Sequence, residues 1–220
     1  LTVCNFFSIT TRYDIAYATS KLGQYSAKPT AGARKALNKV MSYLRYNNIF
    51  TIKVVFAPNV DINTYFSDSD HAGCMHEYSQ SQSGVMLLLN NVPSFWKSKK
   101  QPDTARSSAE AEIYALDMAV SNARYIDRKR VELFQKVILP MVMYVDNTQA
   151  RAFCENLNVS SKMRTTFNIK DNWIQELRNK QELKVEHISS EFNPADMLTK
   201  PLNANRFNYV LNLCNHINII

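Results

Sequence analysis

Glycine is scarce in this chain, with 4 in 220 residues beside 7 prolines. That excludes collagen-like and low-complexity architectures, which need far more of both. Long apolar runs are missing as well. Val85–Leu89 and Val137–Val145, the latter broken by Pro140, fall well short of the ~20 residues that cross a bilayer. A secretory leader is not expected, since Leu1–Thr19 is interrupted by Arg12 and Asp14 and lacks a cationic start. The chain opens on Leu1 inside a pattern already under way, which reads as a fragment or processing product. Cysteines stand at 4, 74, 154 and 214 with no Cys-x-x-Cys, so neither a zinc ribbon nor a thioredoxin-type pair is supported. They are expected to be reduced, buried thiols of an intracellular protein. What is present, 45% hydrophobic and 20% charged residues, suits one large folded domain or a domain with part of a neighbour.

Acid is also missing from one place. Residues 1–60 hold eight Lys/Arg and a single acid, Asp14, while the remainder carries eighteen bases and eighteen acids. The whole net charge of +7 therefore belongs to the first quarter. A basic segment beside a neutral one suggests a polyanionic partner, nucleic acid before acidic lipid; a solvated helix face is the plainer alternative.

Hydrophobic spacing predicts helical structure over residues 1–52. There Thr30 caps a helix with Ala33, Ala36, Leu37, Val40, Met41 and Leu44 on one face. Residues 53–63, with Lys53–Ala57 as a short strand candidate and a Pro58-Asn59 turn, read as a junction. Thr64–Asp68, Ser83–Asn90 and Ser94–Ser98 read as strands, the last two joined by an Asn90-Asn91 turn. A long helix over 107–135, a buried strand Met141–Val145, helices over 147–155 and 162–179, a strand Lys184–Ile188 and a helix opening at Asn193-Pro194 follow. Strands first, then strands alternating with helices, imply a mixed sheet covered by helices.

Four acids stand out by position. Asp68 and Asp146 each end an apolar strand, at the sheet edge where α/β proteins build sites. Asp196 lies in the first turn of the closing helix. In the long helix, Ser107-x-x-Glu110 is a capping box that assigns Glu110 a structural role. Glu112 lies roughly 200° further round, at the margin of the apolar stripe, and is the buried-edge carboxylate expected of the pair. Asp70 shares a strand side with Asp68 only if that strand continues. Carboxylates gathered this way repel one another unless a hard divalent cation joins them, and Mg²⁺ or Mn²⁺ suits an all-oxygen set. Taken singly, each acid is better explained as a turn former or cap. Trp96, Lys97, Lys99, Lys100 and Arg106 combine an aromatic with four bases, a pattern suited to phosphate contact; Trp96 is either core or stacked on a base or sugar. Ser107 and Asn147 are either helix caps or contacts to sugar 2′-hydroxyls. His71, Cys74 and His76 make a weak zinc set, and His187 reads as a core or edge residue.

Six strings occur in order: Tyr65–Gly73 (YFSDSDHAG), Ser83-Gly84-Val85, Ser94–Lys100 (SFWKSKK), Ser107–Leu116 (SSAEAEIYAL), Tyr144–Asn147 (YVDN) and Asn193–Leu202 (NPADMLTKPL). Together they resemble the ribonuclease H domain of copia-type (Pseudoviridae) retrotransposon polyproteins. Upstream, Thr11–Ala18 (TRYDIAYA) and Asn38–Tyr46 resemble the end of that family's reverse transcriptase. The resemblance implies an α/β fold, a ribonuclease H-like mixed sheet flanked by helices and preceded by a short helical segment. It divides the chain into a reverse-transcriptase end (1–52), a linker (53–63), the ribonuclease H-like unit (64–202) and a tail (203–220). It implies metal-binding roles for Asp68, Glu112, Asp146 and Asp196, with two Mg²⁺ or Mn²⁺ ions. It further implies cleavage of the RNA strand of RNA–DNA hybrids, substrate contacts from Trp96, Lys97, Lys100, Arg106, Ser107 and Asn147, and the rest of the Pol polyprotein as a partner, with no membrane. An intracellular place follows from it, the cytoplasm and virus-like particles first and the nucleus as another.

Departures from the family pattern are His71 for Trp, Ala109 for Thr, a weakened basic-aromatic character in Arg164–Trp173, and no His in Ser189–Asn193. A strand transferase or integrase of the same fold would need an upstream His/Cys zinc module and a third acid that is Glu, and neither is found. A non-catalytic nucleic-acid-binding connector is opposed by retention of all four acids. Polymerase activity is not expected, because residues 1–60 hold no aspartate pair.

Overall fold

The computed structural model describes residues 1–54, 63–71, 80–134, 139–155 and 169–216. Three helices lead: α1 (Thr2–Thr10), α2 (Ala16–Gly23) and α3 (Ala31–Tyr46), with a 3-10 turn Tyr13–Ile15 between the first two. The sheet follows, with β1 (Asn63–Asp70), β2 (Gln82–Leu89), β3 (Val92–Lys100), β4 (Met141–Val145) and β5 (Leu183–His187). Helices α4 (Ser108–Phe134), α5 (Thr148–Cys154), α6 (Ile169–Asn179) and α7 (Ala204–His216) complete it, with 3-10 turns at Ser190–Phe192 and Pro194–Leu198.

Spatial order is β3-β2-β1-β4-β5. The first three strands form an antiparallel meander, and β4 and β5 run parallel to β1. The expected mixed sheet flanked by helices and preceded by a helical segment is the fold observed. Asn90 and Asn91 turn β2 into β3 with φ of 49° and 64°, the left-handed pair a tight hairpin demands and asparagine tolerates. Thr30 caps α3 as its spacing predicted, its hydroxyl accepting from Ala33 N–H.

Alternation along β1 and β2 splits the core. Tyr65, Val85 and Leu87 face α4, α5 and α6, where Ile113, Leu116, Val120, Phe153 and Ile174 pack on them. Phe66, Met86 and Leu88 face the other way, onto the 194–198 turn, Val210 and Cys214 of α7, and Tyr13 and Ala16. The N-terminal segment thus supplies buried side chains to the second face, and α7 does the same. Gly84 makes this layer possible: a Cβ there would lie 2.7 Å from Thr199 Cγ2 and 2.9 Å from the Ala195 carbonyl oxygen. Cys4, Cys154 and Cys214 are buried, and among the described residues no disulfide forms.

Three details refine the sequence reading. The first strand runs on to Asp70, because its ladder with β2 continues to the Asp70–Gln82 pair. The helix that opens at Asn193-Pro194 is a short one, a five-residue 3-10 helix. Asn193 caps it, Thr199 folds back on the Asp196 carbonyl, and a tight turn suffices to press Met197 and Leu198 on the sheet. Helix α3 is amphipathic but buries none of its residues fully, since its apolar stripe borders an open groove against α2. The strand candidate Lys53–Ala57 and the linker 53–63 fall mostly outside the described residues. Among those described, no helix is long and apolar enough to cross a membrane.

Candidate active site

The site lies at the carboxyl end of the two central parallel strands. Asp68 projects from β1 toward the second face, Asp146 follows β4 directly, and Glu112 reaches the same edge from the second turn of α4. One carboxylate oxygen of each lies within 4.8 Å of the others. Asp68 and Glu112 are buried and Asp146 half-buried.

Each acid is held by a neighbour. Thr199 Oγ1 donates to Asp68 Oδ2. Ser69 donates twice to Glu112 Oε1, from its backbone N–H at 3.1 Å and its hydroxyl at 3.0 Å, while the buried Oε2 has no hydrogen-bond partner. Ser190 Oγ donates to Asp146 Oδ2 at 2.7 Å. Asp196 stands beside the three rather than among them. Lys200 Nζ lies 2.7 Å from its Oδ1 and 3.9 Å from Asp68 Oδ2, and Arg206 lies 3.0 Å from its Oδ2. Arg206 also donates to the carbonyls of Ser190 and Glu191, tying α7 to the loop that carries Ser190.

Burial works hardest on Asp68, and the charges of Asp196 and Asp146 add to it; Lys200 and Thr199 offset only part, and its pKa is pushed up to about 7. Glu112 is raised well above the ordinary carboxyl range by burial and then by Asp68 and Asp146, against the two bonds from Ser69. Burial opposes the charge on Lys200, but Asp68 and Asp196 outweigh it and raise its pKa. Lys200 alone leaves such a cluster short of positive charge, and the buried, unpartnered Glu112 Oε2 is an oxygen that a cation would relieve.

Comparison with known proteins supplies the lineage. The Pol polyprotein from transposon RE1 of Arabidopsis thaliana is 33% identical over 197 residues, 90% of this chain and 13% of that polyprotein. The Pol polyprotein from transposon TNT 1-94 of Nicotiana tabacum is 28% identical over 201 residues, 90% of this chain and 15% of its own length. The chain belongs to the copia-type Pol polyprotein family. It spans about one-seventh of the length of these Pol relatives. No protein-family model matches it. The crystal structure of LC11-RNase H1 in complex with RNA/DNA hybrid aligns with 63% of this chain and 94% of its own, at 17% identity and a TM-score of 0.48.

Within this Pol segment the other expected contacts separate. Trp96 is committed to packing: its Nε1 donates to the Ser8 carbonyl at 2.5 Å and its ring meets Tyr13 edge-on at 5.5 Å. This packing, with the partly buried indole under the N-terminal helices, favours the core reading of the two. Lys97 and Lys100 remain half-exposed on β3, and Arg106 is exposed before α4. Ser107 Oγ accepts from Glu110 N–H and Asn147 Oδ1 from Gln149 and Ala150 N–H, so both act as caps. Glu110 in turn accepts from the backbone N–H of Arg106, one residue before the cap, at 2.6 Å. Asp70 is partly buried on the Asp68 side of β1, and His71 and His187 are exposed. Cys74, His76 and most of Arg164–Trp173 lie outside the described residues.

Sequence reasoning missed Ser69, Ser190, Thr199, Lys200 and Arg206. Thr199 and Lys200 sit three and four residues beyond Asp196, the spacing of neighbours on a helical turn, so a signal existed. Ser190 and Arg206 offered none, because their partners are set by how the loop and α7 fold over the edge.

Proposed function

We propose that this Pol segment is a divalent-metal-dependent ribonuclease H, hydrolysing the RNA strand of RNA–DNA hybrids during reverse transcription of a retrotransposon. The observation that carries the reading is the meeting of Asp68, Glu112 and Asp146 within 4.8 Å at one sheet edge, with Glu112 Oε2 buried and unpartnered. An all-carboxylate donor set of this kind fits Mg²⁺ or Mn²⁺. Asp68, Glu112 and Asp146 would hold the metal, with Asp196 beside them. When bound, divalent ions activate a water and stabilise the leaving oxygen of an in-line phosphodiester displacement.

The chain's own residues prepare that site. Ser69 and Ser190 each occupy one oxygen of their carboxylate, which limits its rotation and leaves the other oxygen available to a metal. Thr199 fixes the rotamer of Asp68. Lys200 spans Asp68 and Asp196, offsetting their repulsion. Lys97 and Lys100, half-exposed on β3, and the exposed Arg106 are the bases assigned to phosphate contact in this reading. In the overall reaction water adds to phosphorus and the 3′ oxygen leaves, giving 5′-phosphate and 3′-hydroxyl ends.

The test is a gel assay on a labelled RNA–DNA hybrid with Mg²⁺, with chelator, and with Asp146→Asn. RNA-strand cleavage in Mg²⁺ alone is expected, with a loss of at least a hundredfold in the variant. Cleavage of duplex DNA instead, or hybrid cleavage indifferent to chelator and substitution, would refute the reading.

A further inference from the structure

The basic excess of the N-terminal quarter is not used by the acidic cluster, and the structure gives it a place. Asp14, the sole acid among residues 1–60, is buried against Arg12 at 2.7 Å and accepts from Tyr43 Oη at 2.8 Å. The described surface of α1, α2 and α3 therefore exposes bases and no carboxylate side chain. This unit is fixed to the sheet at the catalytic edge. Ser20 Oγ of α2 accepts from Gln82 Nε2 at 2.9 Å, and Gln82 is the cross-strand partner of Asp70, two residues beyond Asp68. Lys21 follows Ser20, and Asp70 feels the charges of both Lys21 and Lys200. Across the groove from Lys21 stands Lys39 of α3, with the exposed Lys35 one turn before it. The Arg12–Asp14–Tyr43 bonds, with Arg12 Nη1 donating to the Asn47 carbonyl, hold α3 in that orientation.

We propose that Lys21, Lys35 and Lys39 form a phosphate-backbone track that carries the hybrid from the acidic edge onto the N-terminal helices. The proposal rests on the ribonuclease H reading for the identity of its duplex. A base stripe without interspersed acid suits a polyanion, and its continuity with the Asp68 edge sets where a duplex held there would run. Its phosphate contacts would position the duplex without reading sequence.

The experiment measures hybrid affinity of the full chain by fluorescence anisotropy in chelator, across a salt series, with a hybrid of about two helical turns. Lys35→Ala/Lys39→Ala is compared with Lys129→Ala, another exposed base, on α4. Each lost phosphate contact lowers the slope of log affinity against log salt by about 0.9, so the double variant should lose about two and bind at least tenfold more weakly. Lys129→Ala should change neither, and a hybrid of about half a turn should not distinguish the variants. An unchanged slope, or a loss matched by Lys129→Ala, overturns the track and leaves the α2–α3 groove to a polypeptide partner. Absence of hybrid binding overturns it too. Because no cleavage is read, failure of the nuclease assay with the slope change intact would overturn the catalytic reading alone.

Discussion

Asn in place of Asp68 should make the metal-free protein more stable. In the native state burial, followed by the charges of Asp196 and Asp146, lifts this carboxyl to about 7. In the unfolded chain it titrates near ~3.9. The folded state therefore binds a proton that the unfolded state releases. The associated stability is fully present below about pH 4 and is lost as pH rises through about 7. Three pH units at about 1.4 kcal/mol each put the loss on the order of 4 kcal/mol by about pH 8. Asp68→Asn removes the charge and keeps an acceptor for Thr199, but it gives up the attraction of Lys200. A net gain of about 2 kcal/mol is expected, or ~4–8 °C in Tm for a chain of this size. Thermal unfolding followed by circular dichroism in chelator, at about pH 4 and about pH 8, measures it; the gain should appear only at the higher pH. Excess Mg²⁺ should raise the Tm of the unsubstituted chain and leave Asp68→Asn nearly unmoved. If Asp68→Asn melts no higher than the unsubstituted chain at the higher pH, or gains equally at both, the electrostatic account of the site is wrong.

Further outcomes follow from the same geometry. Gly84→Ala should destabilise by about 1–3 kcal/mol, because its methyl would overlap Thr199 and the Ala195 carbonyl, and urea unfolding would show it. Ser190→Ala frees Asp146 Oδ2 and should weaken Mn²⁺ binding by about 10–100-fold in a calorimetric titration while leaving Tm in chelator within about 2 °C. Tyr13→Ala empties a fully buried site between Phe50 and Trp96 and should cost about 3–5 kcal/mol, read as a lower urea midpoint. That loss would also show that the N-terminal helices and the sheet unfold as one unit, whereas two separate transitions would contradict the shared core.

The N-terminal segment alters how the Pol fragment should be pictured. Tyr13 and Ala16 lie in the same apolar layer as Phe66 and Met86 of the central strands, and Tyr43 of α3 meets Phe207 of α7 edge-on at 6.0 Å. A truncation at the start of β1 would remove part of the cover of that face of the sheet, the part supplied by Tyr13 and Ala16. The layer that it would disturb also carries Thr199, and with it the rotamer of Asp68.

Sequence alone determined whatever depends on neighbours a few residues apart. Short apolar runs located the five strands of the described sheet and period-3.6 spacing the long helix, Asn90-Asn91 marked the hairpin, and Ser107-x-x-Glu110 separated the capping glutamate from Glu112. These are local matters of backbone sterics and side-chain direction, written in adjacent residues. Only the tertiary structure decided what depends on elements arriving from far along the chain. It turned Trp96 under Ser8 and Tyr13, gave Asp146 its bond from Ser190, and set Asp196 between Lys200 and Arg206 rather than within the 4.8 Å group. Spacing along the chain says nothing of which oxygen of a carboxylate is already engaged; that is fixed by packing Leu198 and Val210 against the sheet, which carries Thr199, Lys200 and Arg206 to the edge with them.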